Sequence, residues 1–223
     1  RFLPSWHHER SPAFIGLDDD RRQRLKDLFR SRRAASERVW ERRGRDLLAM
    51  VREASDMLVC AEDLGDVPDC VPRVLADLGI LGLRIERWAR ELKRPGSPFI
   101  PPAEYPALTV CTPSVHDTST LRGWWEEDQA EREAYWPLLE LGGSCPDRLT
   151  PEAHAAIVER CLGARSRLCV FQLQELLDLD PELWTPDPRG DRINVPGTVA
   201  DTNWTWRMPL TIESLAGRAG LAS

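Results

Sequence analysis

Two short stretches hold the residues best placed for acid–base chemistry. In Val59-Cys60-Ala61-Glu62-Asp63-Leu64-Gly65-Asp66-Val67-Pro68, an apolar run from Met57 to Cys60 ends in adjacent carboxylates and a glycine turn. In Leu108-Thr109-Val110-Cys111-Thr112-Pro113-Ser114-Val115-His116-Asp117, an apolar run ends in a His-Asp pair. A buried strand that ends in an acid is how a β/α barrel delivers a carboxylate to its mouth. Two such ends in one chain suggest a carboxylate-based enzyme.

The elements that must position these residues alternate. Residues 18–54 are charged and mostly helical, with Asp18-Asp19-Asp20 at the start. Leu25, Leu28, Phe29, Val39, Trp40, Leu47, Leu48 and Val51 form an apolar stripe. The basic run 30–33 reads as a solvated helix face. Residues 57–62 suit a strand. Residues 68–78 suit a helix, with Pro72 near its first turn and Gly79 past its end. Strands are expected at 82–88, 108–113 and 167–173. Helices are expected from Ser119 or Thr120 to Tyr135, from Thr150-Pro151 to about Leu162, at 173–179 and at 211–219. Residues 93–106, 141–151 and 187–203 are loops. Strands linked by helices imply a parallel sheet with right-handed crossovers. Four such units make half of an eight-fold barrel, with an open doubly wound sheet as the alternative. No G-x-G-x-x-G follows a strand, which argues against a dinucleotide fold.

Composition narrows the partners. The chain has 223 residues, 42% hydrophobic and 30% charged, with a net charge of −6. That balance suits a globular protein and argues against a nucleic-acid backbone as partner. Six cysteines occur without a C-x-x-C pair, which argues against a zinc site. Cys60, Cys111 and Cys169 read as small core hydrophobes. No signal peptide or membrane-length apolar run is present, so a reducing cytoplasm is the expected compartment. Residues 2–6 read like the middle of a loop, as expected for part of a longer protein.

Taken together, several blocks resemble the 4-α-glucanotransferases of glycoside hydrolase family 77, the amylomaltases or disproportionating enzymes. They are Ala61-Glu62-Asp63-Leu64-Gly65, Leu81-Gly82-Leu83-Arg84-Ile85-Glu86-Arg87-Trp88, Tyr105-Pro106, His116-Asp117, Leu173-Gln174-Glu175, Ile193-Asn194-Val195-Pro196-Gly197 and Asn203-Trp204-Thr205-Trp206-Arg207. The run from Cys111 to Asp128 is similar to the plant cytosolic-type subgroup and its bacterial relatives. The resemblance implies a retaining transferase on a (β/α)8 TIM barrel, of which this chain holds about strands 5 to 8, as a single partial catalytic domain over residues 1–223. Its ligands would be maltooligosaccharides, maltose and branched α-glucan. No cofactor, metal, nucleic acid or membrane is implied.

By the same resemblance, Glu62 matches the general acid/base and Asp117 the third carboxylate, with His116 beside it. Trp88 falls where the family carries an aromatic lining the cleft, and Asn194 in the motif that closes the pocket. Asp63 reads as structural or substrate-binding. Glycosidic cleavage with retention needs an acid for the leaving oxygen and a carboxylate nucleophile opposite it. An acid partly shielded by Trp rings would hold its proton nearer neutral pH. The chain departs from the family pattern upstream of Glu62, where no Arg-x-Asp-His-type strand supplies the nucleophile. Asp46 sits in a helical context and Asp18–Asp20 in a cap. The chain alone is therefore expected to be inactive, with open strand edges.

Other residues carry plainer readings. Trp124 and Trp125 pack a helix against the sheet, and Trp204 and Trp206 are expected mainly in the core. Arg84 could orient a carboxylate or form a structural ion pair. His7-His8 reads as a surface loop rather than a metal pair. Asn194 either holds the Pro196-Gly197 turn or touches the ligand. Two rival classes remain beside the transferase: a non-catalytic carbohydrate-binding remnant and a hydrolysing barrel glycosidase.

Overall fold

The computed structural model describes residues 8–65, 67–91 and 94–218. They fall into two compact units. One comprises the chain up to Val59 with Asp63–Ile80, the other Cys60–Glu62 with the chain from Leu81 onward. The segments expected at 2–6, and the residues His7, Asp66, Lys93 and Ala219, lie outside the described residues.

The first unit is helical. Ser11 caps α1 (Pro12–Ile15) by accepting from the Phe14 amide. Asp18 caps α2 (Asp19–Glu53) through the Arg21 amide at 2.8 Å. No residue of this 35-residue helix is buried, so its stripe stays largely open: Trp40 and Leu47 are exposed. Helix α3 (Cys70–Leu78) ends at Gly79, whose φ of +67° is a left-handed cap that suits glycine. Arg45–Asp77 at 2.7 Å and Arg73–Glu41 at 2.6 Å join α2 to α3. The 30–33 run is solvated, with Arg30 and Arg33 paired to Asp27 and Glu37 on the same helix. His8 packs edge-on against Phe14 and Phe29.

The second unit is α/β. Strands β1 (Gly82–Ile85), β2 (Thr109–Thr112) and β3 (Leu168–Cys169) pair in parallel, in chain order. Cys60 bridges Leu81 in the same sense, and the Ala61 amide donates to the Leu81 carbonyl at 2.7 Å. Four parallel segments therefore follow one another across the sheet. Between β2 and β3 lie α4 (Leu121–Glu127), α5 (Gln129–Tyr135) and α6 (Pro151–Leu162); α7 (Leu173–Leu177) and α8 (Ile212–Leu215) follow. Thr120 caps α4 and Thr150 caps α6 through their side-chain oxygens.

Several expected spans shorten. The strand expected at 57–62 reduces to the bridge at Cys60, and Met57 and Cys60 are exposed rather than in the core. This segment lies at the sheet edge, paired on one side only among the described residues. The strand expected to reach Trp88 stops at Ile85 and turns through a 3₁₀ helix, Glu86–Trp88. There Arg87 turns inward and donates to the Ser119 carbonyl at 2.7 Å, which takes the chain off the ladder. At the opposite edge β3 keeps two residues, and Cys169 is half-buried. The helix expected over 120–135 breaks at Asp128, whose carboxylate accepts from the Glu131 amide and starts α5.

The core joins α4, α5 and α6 through Trp125, Tyr135, Leu149 and Ile157, all almost fully buried. A second cluster holds Tyr105, Cys111 and Cys161, so Cys111 is the small core hydrophobe expected. Glu86 is buried where β1 ends. It accepts from Tyr135 Oη at 2.6 Å and from Arg160 at 3.2 Å, tying that end to α5 and α6. Burial raises the Glu86 pKa, and its hydrogen bond from Tyr135 opposes the rise. No described helix is long and apolar enough to cross a membrane.

Trp125 has no exposed surface, and its indole N–H donates to the Pro146 carbonyl at 2.9 Å. Trp125→Ala should therefore lower unfolding free energy by about 3–5 kcal/mol. Urea denaturation checks this; a midpoint unchanged from the parent would show that the site collapses without loss.

Candidate active site

Parallel pairing sends the carboxyl ends of neighbouring strands to one edge of the sheet. The register, Ile85 opposite Thr112 and Cys111 opposite Cys169, holds those ends level. Glu62 follows the outermost segment, Trp88 follows β1, and His116 and Asp117 follow β2. Asp63 belongs to the other compact unit.

One group closes tightly. Asn194 Nδ2 donates to Asp117 Oδ1 at 2.6 Å, joining residues 77 positions apart. The Asn194 amide donates to the His116 carbonyl at 3.1 Å, and Arg192 Nη2 to the Asp117 carbonyl at 3.0 Å. His116 Nε2 lies 3.4 Å from Asp117 Oδ1. Both side chains remain partly open, at 47% and 37%. Asn194 thus does more than hold its own turn: it orients the Asp117 carboxylate. A partly open carboxylate beside an imidazole can accept hydrogen bonds from hydroxyl groups and stabilise adjacent positive charge.

Trp204 departs from its expected core position. Its ring sits 5.1 Å from that of His116 and is 64% exposed. Its φ of +63° is a strained conformation for a bulky residue. The strain is held by Trp204 N–H to the Ile193 carbonyl at 2.8 Å and by Val195 N–H to Asn203 Oδ1 at 3.2 Å. These bonds fold residues 193–204 back on themselves, so the indole reaches the mouth and not the core. Trp206 is half-buried, and its indole N–H reaches Asp191 at 3.3 Å. A cavity of about 570 Å³ adjoins this group, lined by Asn194, Asn203, Thr205, Trp206, Arg207 and Glu127, among others.

Glu62 is exposed, as is Trp88 at 53%. The shielding of Glu62 by Trp rings expected from the sequence is therefore absent among the described residues. Glu62 follows the outermost paired segment of the sheet. Arg84 Nη1 donates to the Leu83 carbonyl at 2.6 Å.

Behind the loop lies a buried charged layer that sequence reasoning missed. Burial pushes the Glu175 carboxyl up to about 7 and the Asp178 carboxyl up to about 6. Burial pulls the Arg87 guanidinium down to about 10 and the His154 imidazole down to about 4. His154 Nε2 lies 2.9 Å from the Glu175 carbonyl, and Arg122 pairs with Asp178 at 3.2 Å. His154, Glu175 and Asp178 could geometrically approach a metal ion, but the Arg122 guanidinium already neutralises that carboxylate. The available sequence signal was the acid in Leu173-Gln174-Glu175-Leu176-Leu177, an ionisable side chain inside an apolar run.

A family model described as 4-alpha-glucanotransferase matches residues 5–211. A 4-alpha-glucanotransferase of Oryza sativa subsp. japonica is 36% identical over 96% of this chain and 22% of its own length. That of Chlamydia trachomatis is 34% identical over 81% of this chain and 34% of its own. This chain thus spans roughly a fifth to a third of the relatives it matches. Among solved structures, an amylomaltase from Corynebacterium glutamicum superposes with a TM-score of 0.60, at 20% identity over 78% of this chain and 29% of its own. An amylomaltase from Streptococcus agalactiae in complex with acarbose gives 0.57, at 23% identity over 77% of this chain and 31% of its own. At those identities the likeness is one of fold.

The buried layer predicts how stability follows pH. His154 drops from 6.5 unfolded to about 4 folded, so acid protonates the unfolded chain first. Its contribution, about 3 kcal/mol, is present above pH 6.5 and lost as pH falls toward 4. Glu175 rises from 4.5 to about 7, so the fold holds that proton more tightly. Its effect runs oppositely, with stability falling as pH rises from 4.5 to 7. Urea titrations between pH 7 and 4.5 should show a shallower acid loss in His154→Gln and a steeper one in Glu175→Gln. Parallel slopes in all three proteins would exclude both residues as the source.

Proposed function

The chain belongs to the 4-alpha-glucanotransferase family, glycoside hydrolase family 77, and from that premise we propose that it carries the acid/base side of a retaining α-1,4-glucan transferase. The observation that carries this reading is the 2.6 Å bond from Asn194 to Asp117, which builds a carboxylate site from distant segments at the carboxyl edge of a parallel sheet. Strands near the end of an eight-fold barrel, about the fifth to the eighth, are the natural assignment for its four parallel segments. The substrate class is maltooligosaccharide and α-glucan, with maltose as donor and a branched glucan as acceptor. The acarbose bound by the streptococcal amylomaltase supports an oligosaccharide ligand. Six free cysteines suit a cytoplasmic setting.

In this reading Glu62 protonates the leaving glycosidic oxygen while a carboxylate nucleophile attacks the anomeric carbon from the opposite face. The family pattern places that nucleophile upstream of Glu62, and none of the carboxylates here matches it. Glu62, now ionised, removes the proton from an incoming sugar hydroxyl, and the glucan passes to the acceptor. Asp117 and His116 bind the ring hydroxyls of the distorted sugar and strengthen as positive charge develops. Asn194 holds the Asp117 carboxylate in place. Trp88, exposed at the same edge, offers a face on which an acceptor sugar can stack and displace water.

The exposure of Glu62 favours one second reading, a carbohydrate-binding protein without turnover, because no side chain of this chain encloses that carboxyl group around a glycosidic oxygen among the described residues. In the complete protein, Glu62→Gln should lower transfer by about 10²–10⁴-fold while maltotriose still binds. Asp117→Asn should do likewise. Chromatography of maltotriose digests checks this. Longer chains mark transfer, glucose and maltose alone mark hydrolysis, and binding without products favours the second reading.

A further inference from the structure

We propose that Glu175 is a positioning residue whose one buried carboxylate clamps both ends of the loop that carries His116 and Asp117. The loop leaves β2 at Pro113 and enters α4 at Leu121. At its start, Ser114 Oγ donates a short hydrogen bond to Glu175 Oε1. At its end, the Leu121 amide donates to the same carboxylate, 3.0 Å from Oε1 and 3.3 Å from Oε2. The residues between these anchors hold the site. Gln172 Nε2 donates to Ser114 Oγ at 2.6 Å, so the turn after β3 grips the first anchor twice. Within the loop, Thr118 Oγ1 donates to the Val115 carbonyl at 2.9 Å and accepts from its amide at 3.1 Å. Arg87 holds the Ser119 carbonyl from beneath. The Glu175 side chain has no exposed surface, so it acts through the loop and touches no sugar.

A clamp needs acceptors in the right place, whereas a chemical role needs the ionisable group. Glu175→Gln keeps an acceptor at Oε1 for both anchors. Glu175→Met fills the space and accepts from neither. The kinetic arm rests on the transferase reading; the exchange arm does not. In the complete protein acting on maltotriose, Glu175→Met should lower kcat by roughly ten- to hundredfold with KM within about threefold, and Glu175→Gln should stay within about threefold for both. Hydrogen–deuterium exchange in Glu175→Met should quicken across residues 113–121 and at Asn194, whose amide bonds to His116, while α5 stays protected. Unchanged kcat and unchanged exchange in Glu175→Met would overturn the clamp. So would a loss in Glu175→Gln as large as in Glu175→Met. Should Glu175→Met fail to fold, Ser114→Ala removes one anchor alone, and the same localised exchange is required of it. If the unsubstituted protein transfers nothing, the transferase reading fails and the exchange pattern alone decides the clamp.

Discussion

The segments that carry Glu62, Trp88, His116 and Asp117 all leave one parallel ladder. Beside the paired strands themselves, backbone bonds at the strand ends extend it: Ala61 to Leu81 at 2.7 Å, Gly82 to Leu108 at 3.1 Å and Val170 to Cys111 at 2.9 Å. Because all four segments run the same way, everything that follows a strand emerges at the same edge. Parallel neighbours also need long crossovers: α4, α5 and α6 lie between β2 and β3, and a loop with two 3₁₀ turns lies between β1 and β2. Strand β2 sits at the centre and is buried along its whole length. The loop it feeds, with His116 and Asp117, is accordingly the best anchored part of the site. Glu62 leaves an edge segment and is exposed.

Beneath that loop the unit places charge where an apolar core would be cheaper. Arg87, Arg122, Glu175 and Asp178 are all almost fully buried. Desolvating them costs several kcal/mol per ion, and pairing only partly offsets this. Some atoms remain without a partner, among them Arg87 Nε, His154 Nδ1 and Asp178 Oδ2. The compensation is directional. Each of these side chains reaches backbone atoms or a charge on another element: Arg87 to Ser119, Glu175 to Leu121, Arg122 to the Thr185 carbonyl at 2.8 Å. Apolar packing fixes distance loosely and orientation hardly at all. A buried carboxylate with two donors fixes both, and here it holds the loop from Ser114 to Leu121 at its two ends.

Local signals in the chain were dependable where they act locally. The caps at Asp18, Thr120 and Thr150, the glycine stop at Gly79 and the apolar run of β2 each express a preference of a few adjacent residues. Strand ends were read too long because they depend on neighbours. Residues 57–62 look like a strand by pattern, but a strand lasts only as far as its partner does, and here the partner engages at Cys60 and Ala61. Residues 86–88 extend the expected strand by pattern, yet the chain turns there into a 3₁₀ helix and Arg87 donates to the Ser119 carbonyl. Trp204 was misplaced for a related reason: hydrophobicity predicts burial on average, and backbone bonds within 193–204 override that average.

The amino-acid sequence by itself determined the parallel sense of the sheet, and also the family, because seven motif blocks stand in order along one chain; the helical crossover it implied between every pair of strands is a loop with 3₁₀ turns between β1 and β2. It also marked Glu62, His116 and Asp117, since an acid at the end of an apolar run is visible without a partner. Only the tertiary structure decided that Asn194 orients Asp117, that Trp204 stands at the mouth over His116, and that Glu175 lies buried against both ends of the loop. The first and last depend on hydrogen bonds between residues tens of positions apart, and the second on backbone bonds that fold residues 193–204 back on themselves. Linear pattern records which side chains can form such bonds, whereas the fold alone selects which of them meet.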